Sequence, residues 1–176
     1  MIKVAIGKYK LLLTYNGLPS IYDHYVKHAR LFDEFDLGEP NTDLCFVGIG
    51  ADGDWPSLVV AQSYSPSIAG FHPGVLIVPE TQRVFIGAGT RLLLYDFTHC
   101  QRLWQDEAEL VFLAWQQHDD FVVLTAETEL ATWTTKGDKL WTTYVEPPWE
   151  YQVENGLIKL DVMGKQSSFP IETGPP

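Results

Sequence analysis

The chain has 176 residues, 45% of them hydrophobic and 13% aromatic, which is the composition of one folded domain and excludes a disordered chain. Twelve Lys and Arg against 23 Asp and Glu give a formal net charge of −11. Nucleic acid and anionic membranes are therefore poor partners, and a basic protein is the favoured one. We expect a single domain over 1–176.

Cysteine use and the first residues bear on the compartment of the protein. Cys45 and Cys100 are too few for a disulfide framework and lie in no CxxC motif, so two reduced, buried thiols are expected, with a single bridge as the alternative. Lys8 and Lys10 interrupt the apolar start of the chain, unlike a signal peptide. The longest charge-free run, 55–79, holds four prolines and cannot be a membrane helix. These features predict a cytoplasmic protein.

The first third of the chain predicts strands around one helix. Residues 4–15 read as strands similar to 84–96. Residues 20–35 predict a helix, with a pair of strands as the alternative, because apolar side chains recur at helical spacing after a serine. These residues are the candidate cap Ser20 and the stripe Ile21, Tyr25, Ala29 and Phe32. Residues 43–50 and 56–62 then read as a hairpin.

A repeat covers the middle of the chain. When 75–104 is placed over 112–141 without a gap, at an offset of 37, five positions are identical. The identical pairs are Leu76 with Leu113, Leu93 with Leu130, Thr98 with Thr135, Leu103 with Leu140 and Trp104 with Trp141. Each copy contains short β-branched and aromatic runs between turn residues at matching places. This pattern predicts four antiparallel strands per copy.

The unit returns a third time in shortened form. Residues 157–160 take the place of 121–124, and Phe169 takes the place of Trp133. Internal periodicity near 40 residues is typical of propellers and solenoids.

One stretch of the first copy, RVFIGAGTRLLLYDFTHCQRLW, resembles a blade of the β-propellers of the quinoprotein and WD-type repeat families. The order is strand, small-residue turn, strand ending near an Asp, turn and Leu-Trp, and KGDKLW follows later. The resemblance covers about 75–172. It implies that Gly87 and Gly89 form a tight turn with positive φ, and that Trp104 and Trp141 pack between neighbouring blades.

The expected fold is all-β, with antiparallel four-stranded meanders in an incomplete or small β-propeller-like array and one short helix near the amino terminus. Residues 75–172 form the blade-like repeats, and 1–74 form a divergent capping part. So few blades leave strand edges and an apolar face uncovered. We expect the first third to fold back as a cap, with a symmetric homodimer as the alternative.

Three motifs that would carry chemistry are better explained as structure. GIGADG at 48–53 matches a dinucleotide-binding fingerprint, but an apolar strand follows it where a helix is needed, so it predicts a hairpin turn. His24 and His28 lie four residues apart, as in half of a zinc site, but the glutamate of that motif is absent, which favours structural or surface histidines over metal ligands. Residues 52–54 lack the length and final glutamate of a calcium loop and predict a turn.

No catalytic, cofactor-binding or metal-binding residues are assigned from the sequence. There is no GxSxG element, and neither cysteine has a histidine at motif spacing. Paired carboxylates for glycoside hydrolysis stay open, since 23 acids always offer pairs. We expect a non-enzymatic protein, with a small enzyme or ligand-binding domain that has a pocket at the blade ends as the alternative.

Aromatic and acidic residues around two adjacent prolines form the candidate partner site. The stretch YVEPPWEY at 144–151 predicts a rigid, extended connection. The candidate residues are Tyr144, Trp149 and Tyr151, with the acids Asp106, Glu107, Glu127 and Glu146 at the blade ends. The alternative is a crossover between blades in which Trp149 is buried. The expected function is a protein-interaction or scaffold module, for instance an immunity-type inhibitor of a basic protein.

Overall fold

Strands dominate the described part of the chain, which comprises residues 1–51, 55–65 and 71–176. Within these residues the computed structural model has sixteen strands and one helix. In chain order they are β1 (Ile2–Ile6), β2 (Tyr9–Thr14), α1 (Tyr22–His28), β3 (Leu31–Phe35), β4 (Asp43–Ala51), β5 (Leu58–Tyr64), β6 (Gly74–Val78), β7 (Arg83–Ala88), β8 (Arg91–Asp96), β9 (Gln101–Glu107), β10 (Phe112–His118), β11 (Phe121–Ala126), β12 (Glu129–Thr134), β13 (Lys139–Tyr144), β14 (Trp149–Glu154), β15 (Leu157–Val162) and β16 (Lys165–Pro170). The turn expected at 52–54 lies outside the described residues.

The strands form four sheets, which follow one another along the chain. Sheet 1 has the strand order β1-β2-β4-β5-β3, sheet 2 β6-β7-β8-β9, sheet 3 β10-β11-β12-β13 and sheet 4 β14-β15-β16. The described strand pairs are antiparallel except for β3 with β5. The prediction of an all-β fold with repeated antiparallel sheets and one short helix is confirmed, as a small propeller-like array.

Each sheet packs on the next through a cluster of buried apolar side chains. Successive side chains of a strand point to opposite faces of its sheet, so one strand can pack against the sheets on both sides. On β8, Leu93 packs toward sheet 1, whereas Leu92 and Leu94 pack toward sheet 3. A third cluster joins sheets 3 and 4. No such cluster of described residues joins sheet 4 to sheet 1, so the array is open.

The repeat is confirmed with a change of register. Leu94 pairs with Trp104 beside a bulge in sheet 2, and Thr132 pairs with Trp141 beside a bulge in sheet 3. The two tryptophans are thus equivalent, as expected. Strands β9 and β13 correspond at an offset of 37, but β8 and β12 correspond at 38, because the β12–β13 hairpin is one residue shorter.

The gap-free alignment is therefore wrong for the middle strands of the two copies. Leu93 corresponds to Ala131, and both face the preceding sheet. Leu130, on which the alignment placed Leu93, faces sheet 4. A slip of one residue moves a strand side chain to the opposite face of its sheet, so the distinction matters for packing.

The shortened third copy has the predicted correspondence. Phe169 pairs with Ile158 in sheet 4, as Trp133 pairs with Val122 in sheet 3. Sheet 4 ends at this third strand and has no counterpart of β9 or β13.

The helix is shorter than the predicted range of 20–35. α1 has seven residues and is followed by β3, which pairs in parallel with β5. Its N-cap residue is Ile21 and no side chain caps it, so the assignment of Ser20 as the cap is wrong. A contact with a residue far along the chain holds β3 in place, since Asp33 accepts a hydrogen bond from the Tyr95 hydroxyl at 2.8 Å. No helix of the described residues is long and apolar enough to cross a membrane.

One end face of the array is covered and the other is not. α1 covers the outer face of sheet 1, where the Tyr25 ring stacks on Phe46 with 5.4 Å between ring centroids. The outer face of sheet 4 is not covered, and most of its side chains are polar, although the exposed Leu157 lies at one edge of it. The polar side chains include Glu150, Gln152, Lys159 and Ser168.

One of the two predicted turn glycines lies elsewhere. Gly89 has φ +61° in the β7–β8 turn, as expected. Gly87 lies within β7 and is not among the positive-φ residues. A Cβ atom there would lie 2.4 Å from the ring of Phe112, so close packing of that ring requires the glycine.

Both cysteines are free thiols. Cys45 is buried as predicted, and burial raises the pKa of its thiol to about 12. Cys100 is only half-buried, in the β8–β9 turn with φ +52°, so the expectation of burial is wrong for it.

Candidate functional site

Hairpins and crossovers of sheets 2 to 4 form one end of the array, which we call the acidic end. It contains the β7–β8, β11–β12 and β15–β16 hairpins and the β9–β10 and β13–β14 crossovers, since neighbouring strands alternate in direction. Backbone hydrogen bonds connect these segments into a continuous surface. They run from Phe112 N–H to Gly89 O (2.8 Å), Glu127 N–H to Val111 O (3.0 Å) and Met163 N–H to Pro148 O (3.1 Å).

The predicted acids lie at this end but differ in their partners. They are Asp106, Glu107, Glu127 and Glu146. Asp106 is ion-paired with Lys139 at 2.9 Å, and Glu107 lies opposite Arg91 in the β8–β9 ladder. Glu107, Glu127 and Glu146 are exposed and have no ion pair with the described cations. Uncompensated negative charge therefore lies along the acidic end from sheet 2 to sheet 4.

Trp149 and Tyr151 lie at the interface of sheets 3 and 4. The half-buried Trp149 begins β14, and its Nε1–H donates to Glu127 O at 3.0 Å. Tyr151 donates its hydroxyl hydrogen to Gln116 Oε1 at 2.6 Å, and burial raises the pKa of this phenol to about 12. The packing of Trp149 fits the alternative of a blade-to-blade crossover, with part of its ring left accessible.

Two large apolar side chains are prominently exposed at the acidic end. Tyr144, at the end of β13, is 63% exposed, and Met163, in the β15–β16 hairpin, is 60% exposed. Among the large hydrophobic residues of the described ranges these two fractions are the highest. Sequence reasoning found Tyr144 and missed Met163.

A concavity of about 410 Å³ lies beside Met163. Its lining residues are Pro148, Trp149, Glu150, Asp161, Met163 and Gly164. Glu150 and Asp161 also line an adjoining concavity of about 480 Å³ on the outer face of sheet 4. The sequence contained a signal for this juxtaposition, because the two-residue Asn155-Gly156 turn sets the register that pairs Glu150 with Asp161.

The histidine pair does not form a metal centre with other described residues. His28 and His24 stack on the indole of Trp55, with ring centroids 4.8 and 6.4 Å away. The Nδ1 atom of His28 lies 2.7 Å from His24 O. Across residues 1–51, 55–65 and 71–176, no three His, Cys, Asp or Glu side chains are placed to hold a metal ion.

The nucleotide-binding fingerprint at 48–53 has the wrong context. Its described residues are the last part of β4, which pairs with β5, as the predicted hairpin of 43–50 with 56–62 requires. A Cβ atom on Gly50 would lie 2.9 Å from Trp55 O, so a close backbone approach explains this glycine.

A smaller concavity lies at the same end between sheets 1 and 2. Its volume is about 170 Å³, and its lining includes Asp36, Tyr64, Gly89, Arg91 and Glu107. Arg91 is ion-paired with Asp36 at 2.5 Å. The guanidinium Nε atom of Arg91 is buried and has no hydrogen-bond partner among the described residues.

The sequence matches no family model and no curated protein. Solved structures similar to the chain include the computationally designed Ika4 protein (19% identity, 58% of this chain and 67% of that one, TM-score 0.44). They also include Sqt1 of Saccharomyces cerevisiae (10% identity, 85% and 41%, TM-score 0.44) and Hsv2 of Kluyveromyces lactis (10% identity, 77% and 46%, TM-score 0.40). The chain thus spans less than half the length of these two natural proteins.

Proposed function

We propose that this protein is a non-enzymatic interaction module that binds a basic protein at its acidic end. The observation that carries the proposal is the exposure of Tyr144 and Met163 at 63% and 60%, at the same end as Glu127 and Glu146, which have no described cation partner. Exposed aromatic and methionine side chains with a polar rim are characteristic of protein-binding surfaces. The net charge of −11 would speed encounter with a basic partner.

The architecture supports a scaffold role. The segments of the acidic end connect rigid sheets, and binding residues are often carried on loops that a rigid framework positions. The resemblance to quinoprotein or WD-type blades belongs to this proposal. An immunity-type inhibitor that neutralises a basic protein is its most concrete form.

Affinity capture from the native host tests the proposal. The wild-type chain and a variant with Asp106, Glu107, Glu127 and Glu146 reversed to Lys are immobilised in parallel, and the retained proteins are identified by mass spectrometry. A variant with Glu80, Asp119, Asp120 and Glu154 reversed to Lys, at the opposite end, is the matched control. We expect basic proteins to be retained by the wild type and the control, and lost from the acidic-end variant.

The capture experiment includes a check on folding. The acidic-end variant should keep a thermal midpoint close to that of the control, because the reversed side chains lie at the surface. Equal retention by both variants would place the binding surface elsewhere.

A second candidate function is the binding of a small ligand between sheets 1 and 2. The buried Nε–H of Arg91 without a described acceptor favours it, since such a group calls for an acceptor such as a carboxylate. Calorimetric titration with acetate and succinate, repeated on Arg91→Lys, tests it. Heat that is present in the wild type and absent in the variant would favour this candidate.

A further inference from the structure

Two carboxylates lie side by side on the outer face of sheet 4. Glu150 and Asp161 are direct partners in the antiparallel ladder of β14 and β15, so their Cα atoms are about 5 Å apart. Both line the concavity at the acidic end and the adjoining one on the outer face of sheet 4. Like charges directly opposite each other destabilise a sheet, so this arrangement is unfavourable for the free protein.

No described cation compensates this pair. Asp161 accepts hydrogen bonds from Gly164 N–H at 2.7 Å and from the Gln166 side chain at 3.4 Å, which fix its position. Glu150 accepts none from the described residues. Lys159 lies on the same face, but its amino group is ion-paired with Glu154.

Apolar walls stand beside the two carboxylates. Pro148 and Met163 line the 410 Å³ concavity, and the Met163 N–H donates to Pro148 O at 3.1 Å, so the hairpin is held against the crossover. Met163 is 60% exposed, so its thioether side chain is available for contact. An unbranched, polarizable side chain adapts its shape to an incoming group.

We infer that a basic partner inserts an arginine side chain into this concavity. Its alkyl stem packs on Pro148 and Met163, and its guanidinium group donates hydrogen bonds to Glu150 and Asp161. The guanidinium group fits because it has five donors in a planar fork and is more weakly hydrated than an ammonium group. The inference rests on the proposed function and names the residue type that the partner uses.

This assignment predicts opposite effects on stability and on binding. Glu150→Gln keeps the shape of the side chain and removes the repulsion, so the free protein should gain roughly 1–4 °C in Tm. The same change should weaken binding of an arginine peptide about tenfold, because one charge-assisted contact is lost. A glutamate with only a structural role would not produce both results.

The test uses fluorescein-labelled hexa-arginine and hexa-lysine peptides, with binding followed by anisotropy at low and moderate salt. Glu154→Gln is the matched control, because Glu154 lies on the same strand and face but is neutralised by Lys159. A third variant carries Gln at the four acids Asp106, Glu107, Glu127 and Glu146. We expect hexa-arginine to bind more tightly than hexa-lysine, and Glu154→Gln to change its affinity less than twofold.

Each contrary outcome identifies what is wrong. Equal losses for Glu150→Gln and Glu154→Gln, or equal affinity for the two peptides, would overturn the arginine site. If only the four-acid variant loses affinity, the proposed basic partner stands and the arginine site does not. Absence of peptide binding even at low salt would overturn both.

Discussion

Two tryptophan indoles connect consecutive sheets by the same hydrogen bond. Trp104 Nε1–H donates to Gly137 O at 2.8 Å, and Trp141 Nε1–H donates to Ile171 O at 2.7 Å. Both rings pack between blades, as the resemblance implied, and they are half-buried because they extend from the outer strands. A Cβ atom on Gly174 would lie 2.7 Å from the Trp141 ring, so the second contact requires a glycine.

Replacing either indole by a phenyl ring removes the N–H donor of this hydrogen bond and keeps an aromatic ring at the position. Trp104→Phe and Trp141→Phe should each lower the free energy of unfolding by about 1 kcal/mol, because an aromatic ring stays while a carbonyl loses its donor. Urea denaturation measures the loss. Leu103→Ala, in the bulge beside Trp104, is the control and should change stability by less than about 0.5 kcal/mol. If neither Phe variant changes the free energy of unfolding, these hydrogen bonds do not stabilise the array.

Asp96 organises the turn after β8. Its Oδ1 accepts the backbone N–H groups of Thr98 and His99, and its Oδ2 accepts from Arg83 at 2.7 Å and contacts the His99 ring at 2.9 Å. Burial alone would raise the pKa of Asp96. The hydrogen bonds from His99 and the charge of Arg83 outweigh burial and hold this pKa below its ordinary value.

The lowered pKa gives a stability contribution with a defined pH window. The unfolded chain binds a proton at about pH 4, whereas folded Asp96 resists protonation, so the contribution is complete above that pH and is lost as the pH falls through the folded pKa. The Tm difference between the wild type and Asp96→Asn should therefore shrink from pH 6 to pH 2. A difference that stays constant over this range would contradict the assignment.

At the scale of elements, α1 acts as the cover of sheet 1. Tyr25 is 6% exposed and contacts the buried cluster of Leu12, Phe46 and Val59. Tyr25→Ala should lower the free energy of unfolding by about 3 kcal/mol, as for buried aromatic residues generally, and should increase binding of a hydrophobic dye. Ile21→Ala, at an exposed position beside the helix, is the control. Equal effects of the two substitutions would mean that α1 does not cover the sheet.

The inner strands of the repeats could be predicted because each one is a short apolar run between turn residues. In the third copy, residues 157–160 and Phe169 were placed correctly on 121–124 and Trp133. The end of the helix could not be predicted, because β3 is fixed by contacts such as Asp33 with Tyr95, 62 positions away. The shift by one residue in the middle strands arises from one shorter hairpin, which a gap-free comparison does not detect.

The candidate site was predicted only in part, for a related reason. The four acids of the acidic end and Tyr144 could be identified in the sequence. The role proposed for Glu150, however, depends on its position opposite Asp161 in the sheet. That juxtaposition follows from the register of a hairpin and not from adjacency along the chain. Met163 gains its significance in the same way, because the hairpin brings it to Pro148.

At the scale of the whole molecule, neither terminal face presents a large apolar surface that a second copy would have to cover. α1 packs on sheet 1, and the outer face of sheet 4 presents mostly polar side chains. We therefore expect a monomer in place of the symmetric dimer that was the alternative. Sedimentation velocity across a hundredfold concentration range should give a constant monomer mass. A mass that rises toward that of a dimer would show that these two faces do not prevent association.

Open, linear packing has a consequence for cooperativity. Because each core cluster joins only consecutive sheets, stability is a sum of sheet and nearest-neighbour terms, and a terminal unit opens at the cost of a single interface. Sheet 4 should thus exchange its amide hydrogens faster than sheet 2. A partner bound at the acidic end would stabilise this least stable unit, so the strength of binding and the opening of sheet 4 would be thermodynamically linked.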